Sequence, residues 1–329
     1  MLQLDSICQA QHRLRGFVHR TPLTHSASLS QRLGAAAYLK LECLQKTGSF
    51  KPRGAFNKLL TMAPEERAAG VVAVSGGNHA QGVAYAAEKL GVSAVLVMPA
   101  STPRNYLDAT RGYGAEVTLV SDIHAAFAEA ERLRQAGRTL VHPFDDPLVA
   151  AGQGTVGLEI LEDAPGVTHV YVSIGGGGLI SGVAAALKAI KPGVEIIGVE
   201  TEGADAMARA MAAGEPVEMP AITSIARTLG APRVSAFTLR HVQSLVREVM
   251  VVSDAEAVAA LFWLLERTKY LLEPAASCCL AAALRRKHAP DDQALGQYFL
   301  GVANLARARQ LAEYELYDGN ASLLRTEQR

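Results

Sequence analysis

The sequence predicts an α/β protein built on two open, twisted parallel sheets with helices on both faces. Three observations carry this. Several runs are apolar at nearly every position and have strand length, among them VVAVS (71–75), SAVLVMP (93–99) and THVYVSI (168–174). Strands without a polar side belong to sheets that are covered on both faces. These runs alternate with helix-length segments, which is the order that builds parallel sheets. The alternation occurs twice, over residues 71–142 and again from 153 onward, with the first unit nested in the second.

The elements follow in order. Residues 4–17 have the pattern of an amphipathic helix ending near Gly16, and His19-Arg20-Thr21-Pro22 breaks it. Ala37 to Leu41 is a short strand. QKTGSFKPRG (45–54) is polar and glycine-bearing, and Pro52 suits the first turn of a helix that runs on through Ala55–Thr61. The strand at 71–75 stops at Gly76 and Gly77. A helix at 79–91 closes on Gly91. A strand (93–99), a helix (102–114), a strand (115–120), a helix (123–136) and a short strand (139–142) complete the first unit. The second has a helix at about 153–162, a strand at 168–174, the turn Gly175–Gly178, a helix at 179–190 and a strand at 194–200. Later come strands at 246–252 and 296–302 around helices at 254–268 and 274–287.

Composition excludes several classes. With 49% hydrophobic and 19% charged residues over 329, the chain has enough apolar material for buried cores. Lys plus Arg total 32 and Asp plus Glu total 32, so no net charge argues for nucleic acid or a membrane surface. Four cysteines without a C-x-x-C pair make no disulfide framework and suit a reducing compartment. The N-terminus is mixed and charged, unlike a leader peptide, and no stretch of about 18 apolar residues occurs. The expectation is a cytoplasmic protein acting on a small molecule.

Three segments are suited to chemistry. Gly175, Gly176, Gly177 and Gly178 follow a strand and open a helix, a place where backbone N–H groups cradle phosphate. The run lacks the Lys-Ser/Thr of a P-loop. It also lacks the third glycine of a dinucleotide fingerprint, where Ile180 or Ser181 stands. A nicotinamide oxidoreductase, with Glu200 as the ribose acid, is therefore the weaker rival. Lys51 lies between Phe50 and Pro52 at a helix entry. A lysine there forms a Schiff base if its surroundings deprotonate it, although alone it reads as a surface lysine. Ser75-Gly76-Gly77-Asn78-His79 ends a strand and opens a helix, the crevice where open α/β sheets bind ligands. It offers N–H groups to a carboxylate and an amide to a ring hydroxyl.

In this order and spacing the three segments resemble the fold type II pyridoxal-phosphate enzymes (the tryptophan synthase β-like fold). The likeness is nearest to threonine dehydratases and serine racemases. It runs from about Arg20 to Asn304 and includes Leu39-Lys40-Leu41-Glu42, Asp108-Ala109-Thr110-Arg111, Ala151-Gly152-Gln153-Gly154-Thr155 and Glu273-Pro274. The resemblance implies that Lys51 carries pyridoxal 5'-phosphate as a Schiff base and then serves as base and acid. Phe50 would lie beside the ring, Asn78 would bond its phenolic oxygen, and the four glycines would hold the phosphate. Ser75, Gly76, Gly77, Asn78 and His79 would take the substrate carboxylate. The implied reaction removes the α-proton and the β-hydroxyl of a β-hydroxy-α-L-amino acid, giving a 2-oxo acid and ammonia. Also implied are a small domain (51–146) inserted in a large one (1–50 and 147–329), and a homodimer.

Departures from the family pattern shape the expectation. Gly301, in Leu300-Gly301-Val302-Ala303-Asn304, stands where the family has the side chain that meets the pyridine nitrogen. A weaker electron sink would suit an aryl substrate such as L-threo-phenylserine beside threonine and serine. Gly76 replaces the serine of the racemases, which favours elimination; a racemase is the alternative. Glu200 and the Ala204 carbonyl match a family cation site, but Ala206 replaces the next carboxylate and Asp205 is one place off, so no metal is expected. Thr223–Arg227 also differs from the family wording, on the substrate side.

Overall fold

The structure, a computed structural model, describes residues 1–287 and 298–302. In chain order the elements are α1 (Leu4–Arg13), β1 (Leu23–His25), α2 (Ala27–Leu33), β2 (Ala36–Lys40), α3 (Lys51–Leu60), α4 (Pro64–Ala69), β3 (Val71–Val74), α5 (Asn78–Leu90), β4 (Ala94–Pro99), α6 (Arg104–Gly112), β5 (Glu116–Val120), α7 (Ile123–Gln135) and β6 (Thr139–Leu140). They continue with α8 (Pro147–Asp163), β7 (His169–Ser173), α9 (Gly178–Ile190), β8 (Glu195–Thr201), α10 (Ala206–Ala213), α11 (Ala236–Leu245), β9 (Glu248–Val252), α12 (Asp254–Thr268), α13 (Pro274–Lys287) and β10 (Tyr298–Val302).

Two sheets form. The four-stranded sheet has the order β5-β4-β3-β6 and is parallel throughout. The six-stranded sheet has the order β1-β2-β10-β7-β8-β9 and takes strands from both ends of the chain. Its one departure from the parallel expectation is β1. This three-residue edge strand runs antiparallel to β2, with Leu23 opposite Lys40. An antiparallel edge on a parallel sheet is a common outcome, because an edge needs only one partner.

Period-two alternation explains why the strands read as continuously apolar. In the large sheet Val170, Val172 and Ile196 face one core with Val156, Ile180 and Leu187 of α8 and α9. Tyr171, Ile197 and Val199 face the other, with Leu261 of α12 and Leu280 of α13. In the small sheet Val71, Ala73 and Leu96 pack on α3 and α5, whereas Val72, Val74 and Val97 pack on Ala126 and Ala130 of α7. Each sheet therefore lies between two helical layers.

One helix starts earlier than its expected beginning at 153. α8 begins at Pro147, and the Asp146 side chain caps it by accepting from Leu148 N and Val149 N. Gly152 and Gly154 do not interrupt it. A Cβ at Gly152 would stand 2.4 Å from the Arg53 carbonyl oxygen, and one at Gly154 would stand 2.9 Å from that of Gly182. Those glycines let α8 approach α3 and α9 closely. Residues 303 and 304 of the C-terminal motif lie outside the described residues.

Candidate active site

The loops at the carboxyl ends of β3, β4, β6 and β7, together with the start of α3, surround one cavity of about 480 Å³. That is where open α/β sheets place ligands. Phe50, Lys51, Ser75, Gly76, Gly77, Asn78, His79 and all four glycines of 175–178 border it. The structure thus brings together residues from three distant parts of the chain. Gly301 sits in β10, opposite Leu39 of β2 and Tyr171 of β7.

Lys51 opens α3, with Pro52 in the first turn. Its Nζ donates to the Pro143 carbonyl at 3.2 Å and lies 5.0 Å from the centre of the Phe50 ring. Burial lowers the amine to about 8, and the Glu273 carboxylate partly offsets this. Removing water penalises the charged form of an amine. Gly82 of α5 lets a second helix lean on this lysine: a Cβ there would stand 2.9 Å from Lys51 Cβ.

Arg53, one half-turn further on, anchors the helix. Its guanidinium forks onto Glu42 (Nε–Oε2 2.8 Å, Nη2–Oε1 2.8 Å) and onto Glu159 (Nη1–Oε1 2.6 Å, Nη2–Oε2 2.9 Å). Lys40 Nζ completes the set with Glu159 Oε2 at 2.6 Å. Two cations and two carboxylates are buried together, a neutral box that ties α3 to β2 and α8.

The Ser75–Asn78 loop joins β3 to α5. Ser75 Oγ accepts from Gly77 N at 3.0 Å, and Asn78 Nδ2 donates to Glu273 Oε1 at 3.0 Å. His79 is buried, and burial with the nearby Lys51 lowers it to about 3. The neutral ring therefore donates from Nε2 to the Val141 carbonyl, 2.8 Å away. That nitrogen is committed to the fold although the residue borders the cavity.

The glycine turn joins β7 to the thirteen-residue α9. Gly177 takes φ +92°, a conformation that side chains disfavour. A Cβ at Gly176 would lie 2.0 to 2.3 Å from the Phe144 ring, and one at Gly178 would lie 2.9 Å from Phe144 Cα. The turn is a cradle with no room for side chains, at a helix N-terminus that favours anions.

Glu200, which matches the family's cation-site position only in part, is bonded within the fold. Its two oxygens accept from Met207 N (2.9 Å) and Ala208 N (2.7 Å) at the start of α10. Burial pushes this carboxyl up to about 8. Sequence reasoning misses Phe144, Thr102 and Thr228, all of which line the cavity. The one signal for Phe144 is its place just past the carboxyl end of a strand.

Residues 14–295 match the family model described as pyridoxal-phosphate dependent enzyme. The chain belongs to this family. As a pyridoxal-phosphate dependent enzyme, it is 45% identical over 291 residues to the L-threonine ammonia-lyase of Geobacter sulfurreducens, covering 87% of this chain and 72% of that one. It is 40% identical over 286 residues to the catabolic L-threonine dehydratase of Escherichia coli K12, covering 86% and 87%. Among solved structures, maize serine racemase superposes with TM-score 0.89 at 34% identity over 99% of both chains. A threonine deaminase from T.th. superposes with TM-score 0.86 at 38% identity over 93% and 98%. The cavity suits the cofactor of the family: a buried amine of lowered basicity, an aromatic ring beside it and a glycine cradle that a Cβ would fill. Among the described residues no helix is long and apolar enough to cross a membrane.

Proposed function

We propose that this pyridoxal-phosphate dependent enzyme is an ammonia-lyase that converts L-threonine or L-serine to the corresponding 2-oxo acid and ammonia. The observation that carries the reading is the Lys51 amine, lowered to about 8 in a cavity that the glycine cradle and the Ser75–His79 loop also line. Its relatives named for threonine support the substrate class.

When bound, the cofactor supplies the electron sink for charge developing at the α-carbon. The protein's groups do the rest. Lys51 would hold the cofactor covalently and then take the α-proton; an amine near 8 is neutral in a usable fraction close to neutrality. N–H groups of Gly175–Gly178 would hold the phosphate, Phe50 would flank the ring and Asn78 would donate to the ring oxygen. The Ser75–His79 loop binds the carboxylate. Lys51, having gained the α-proton, would pass it to the departing β-hydroxyl, so that water leaves. The released unsaturated amine tautomerises and is hydrolysed, and the balance is one 2-oxo acid and one ammonia per substrate.

The same proposal takes residues 51–146 as a small domain and 1–50 with 147–329 as the large one, in a cytoplasmic homodimer, which sedimentation tests. A racemase is the second reading, because maize serine racemase is so similar in fold; the absent side chain at Gly76 argues against it. The experiment is release of 2-oxo acid from L-serine, L-threonine and L-threo-phenylserine with pyridoxal phosphate present. Release from threonine or serine supports the reading, and preference for phenylserine moves it to aryl substrates, the expectation tied to Gly301. No release from any of the three, with the yellow cofactor bound, overturns it, and chiral analysis then tests racemisation.

A further inference from the structure

The cavity holds a hydroxyl that the fold does not use. Thr102 stands between β4 and α6, on the cavity wall. It is 8% exposed, and its Oγ1 has no hydrogen-bond partner among the described residues. An unpaired buried hydroxyl costs stability, so folding does not account for it.

Its surroundings say what it serves. A Cβ at Gly76 would stand 2.7 Å from Thr102 Oγ1, whereas the Thr102 methyl and Cβ would be 3.5 and 3.6 Å away. The hydroxyl end of Thr102 is therefore turned to the Ser75–Asn78 loop, and the missing side chain at 76 leaves it that place. The loop continues into α5, a thirteen-residue helix whose N-terminus has no side-chain cap. Helix N-termini favour anions, and here a buried hydroxyl donor is aimed at the same spot.

We propose that Thr102 Oγ1 donates a hydrogen bond to the substrate carboxylate beside the Ser75–Asn78 loop. This rests on the carboxylate role given to that loop above. Thr102 thereby becomes a binding residue supplied by the turn after β4, in a space that glycine at 76 keeps open.

The test uses the pyridoxal-phosphate-loaded enzyme and two non-eliminating probes, L-alanine and L-alaninol, which lacks the carboxylate. Binding is read from the absorbance change of the cofactor. T102V is expected to bind L-alanine roughly 10- to 100-fold more weakly, the usual worth of a hydrogen bond to a charged group. T102S keeps the affinity, and L-alaninol binding stays the same in all variants. The melting temperature of T102V stays level or rises, since a buried unpaired polar atom is removed; a structural role would lower it. Where valine is not tolerated, T102A serves in its place. Unchanged L-alanine affinity in T102V or T102A overturns the proposal. So does a loss seen only with L-serine, which would put the hydroxyl on the β-oxygen. If the wild type itself responds to no amino acid, the loop reading fails and not the Thr102 assignment alone.

Discussion

Replacing Arg53 by methionine breaks the buried charge box while leaving its volume largely filled. In the wild type Arg53 and Lys40 balance Glu42 and Glu159, and every member is hydrogen-bonded within the set. Without Arg53 the group carries one excess negative charge at a site where Glu42 and Arg53 are 0% exposed. Removing one partner of a buried pair costs about 3–5 kcal/mol. A buried carboxylate has an escape, which is to take a proton. From the ordinary value of 4.5, protonation at pH 7 costs about 3.4 kcal/mol at 1.36 kcal/mol per unit. The penalty is thus capped near that figure at pH 7. It falls by about 1.4 kcal/mol for each unit towards pH 5, because the folded mutant then binds a proton that the unfolded chain does not. With an unfolding entropy of about 0.7 kcal/mol/K for a chain this long, a capped penalty of about 3.4 kcal/mol is about 5 °C in melting temperature at pH 7. Urea unfolding of wild type and R53M at pH 5, 6 and 7 measures both effects. A penalty below about 1 kcal/mol at pH 7, or one that does not shrink with acid, refutes the reasoning.

The other predictions concern the cavity. The rate at which the cofactor-free protein captures pyridoxal phosphate is expected to rise with pH and level off above about 8, because the amine must lose its proton; K51A captures none, detectable as no borohydride-fixed adduct. E273Q keeps an acceptor for Asn78 but removes the negative charge that holds the Lys51 proton, so the midpoint of the same profile moves to lower pH. G176A puts a methyl 2.0 to 2.3 Å from the Phe144 ring; cofactor affinity falls at least about tenfold for a loss of 1.4 kcal/mol, and F144A in the same chain restores part of it.

What is legible in the sequence follows from burial. Val71–Val74 and His169–Ser173 are buried on both faces, so their apolar runs stand out and show their extents to within a residue or two. The elements that sequence reasoning misses are short or amphipathic in a quieter way: β1, α2, α4, α10 and α11. Two of them have capping signals. Ser26 accepts from Leu29 N at the start of α2, and Ser235 accepts from Thr238 N at the start of α11. The early start of α8 is marked by Asp146-Pro147, but Gly152 and Gly154 read locally as breakers. Their purpose is contact with α3 and α9, across tens of residues, which no local pattern shows. The glycine turn and Lys51 are legible as separate motifs. The closeness of Thr102 to Gly76 and of Phe144 to Gly176 depends on how the β4 and β6 loops fold over them.

Lys51 and Arg53 show how one stretch of helix separates stability from reactivity. Both are cations on the first turn of α3. Arg53 is given two carboxylates in bidentate geometry, and its positive charge is held firmly. Lys51 receives a carbonyl oxygen, an aromatic face and only the more distant influence of Glu273. Burial therefore loosens the proton on Lys51, while Arg53 holds its own firmly. The identities cannot be exchanged. A lysine at 53 cannot fork onto two carboxylates, and an arginine at 51 would stay protonated at any working pH. The box fixes where the helix begins, and the helix start fixes where the reactive amine stands. Weakening the box should thus move activity through the position of Lys51 and leave its chemistry intact: R53K is expected to lower kcat while the pH at which capture levels off stays near 8. A displaced pH profile in R53K would mean instead that the box sets the amine's basicity directly.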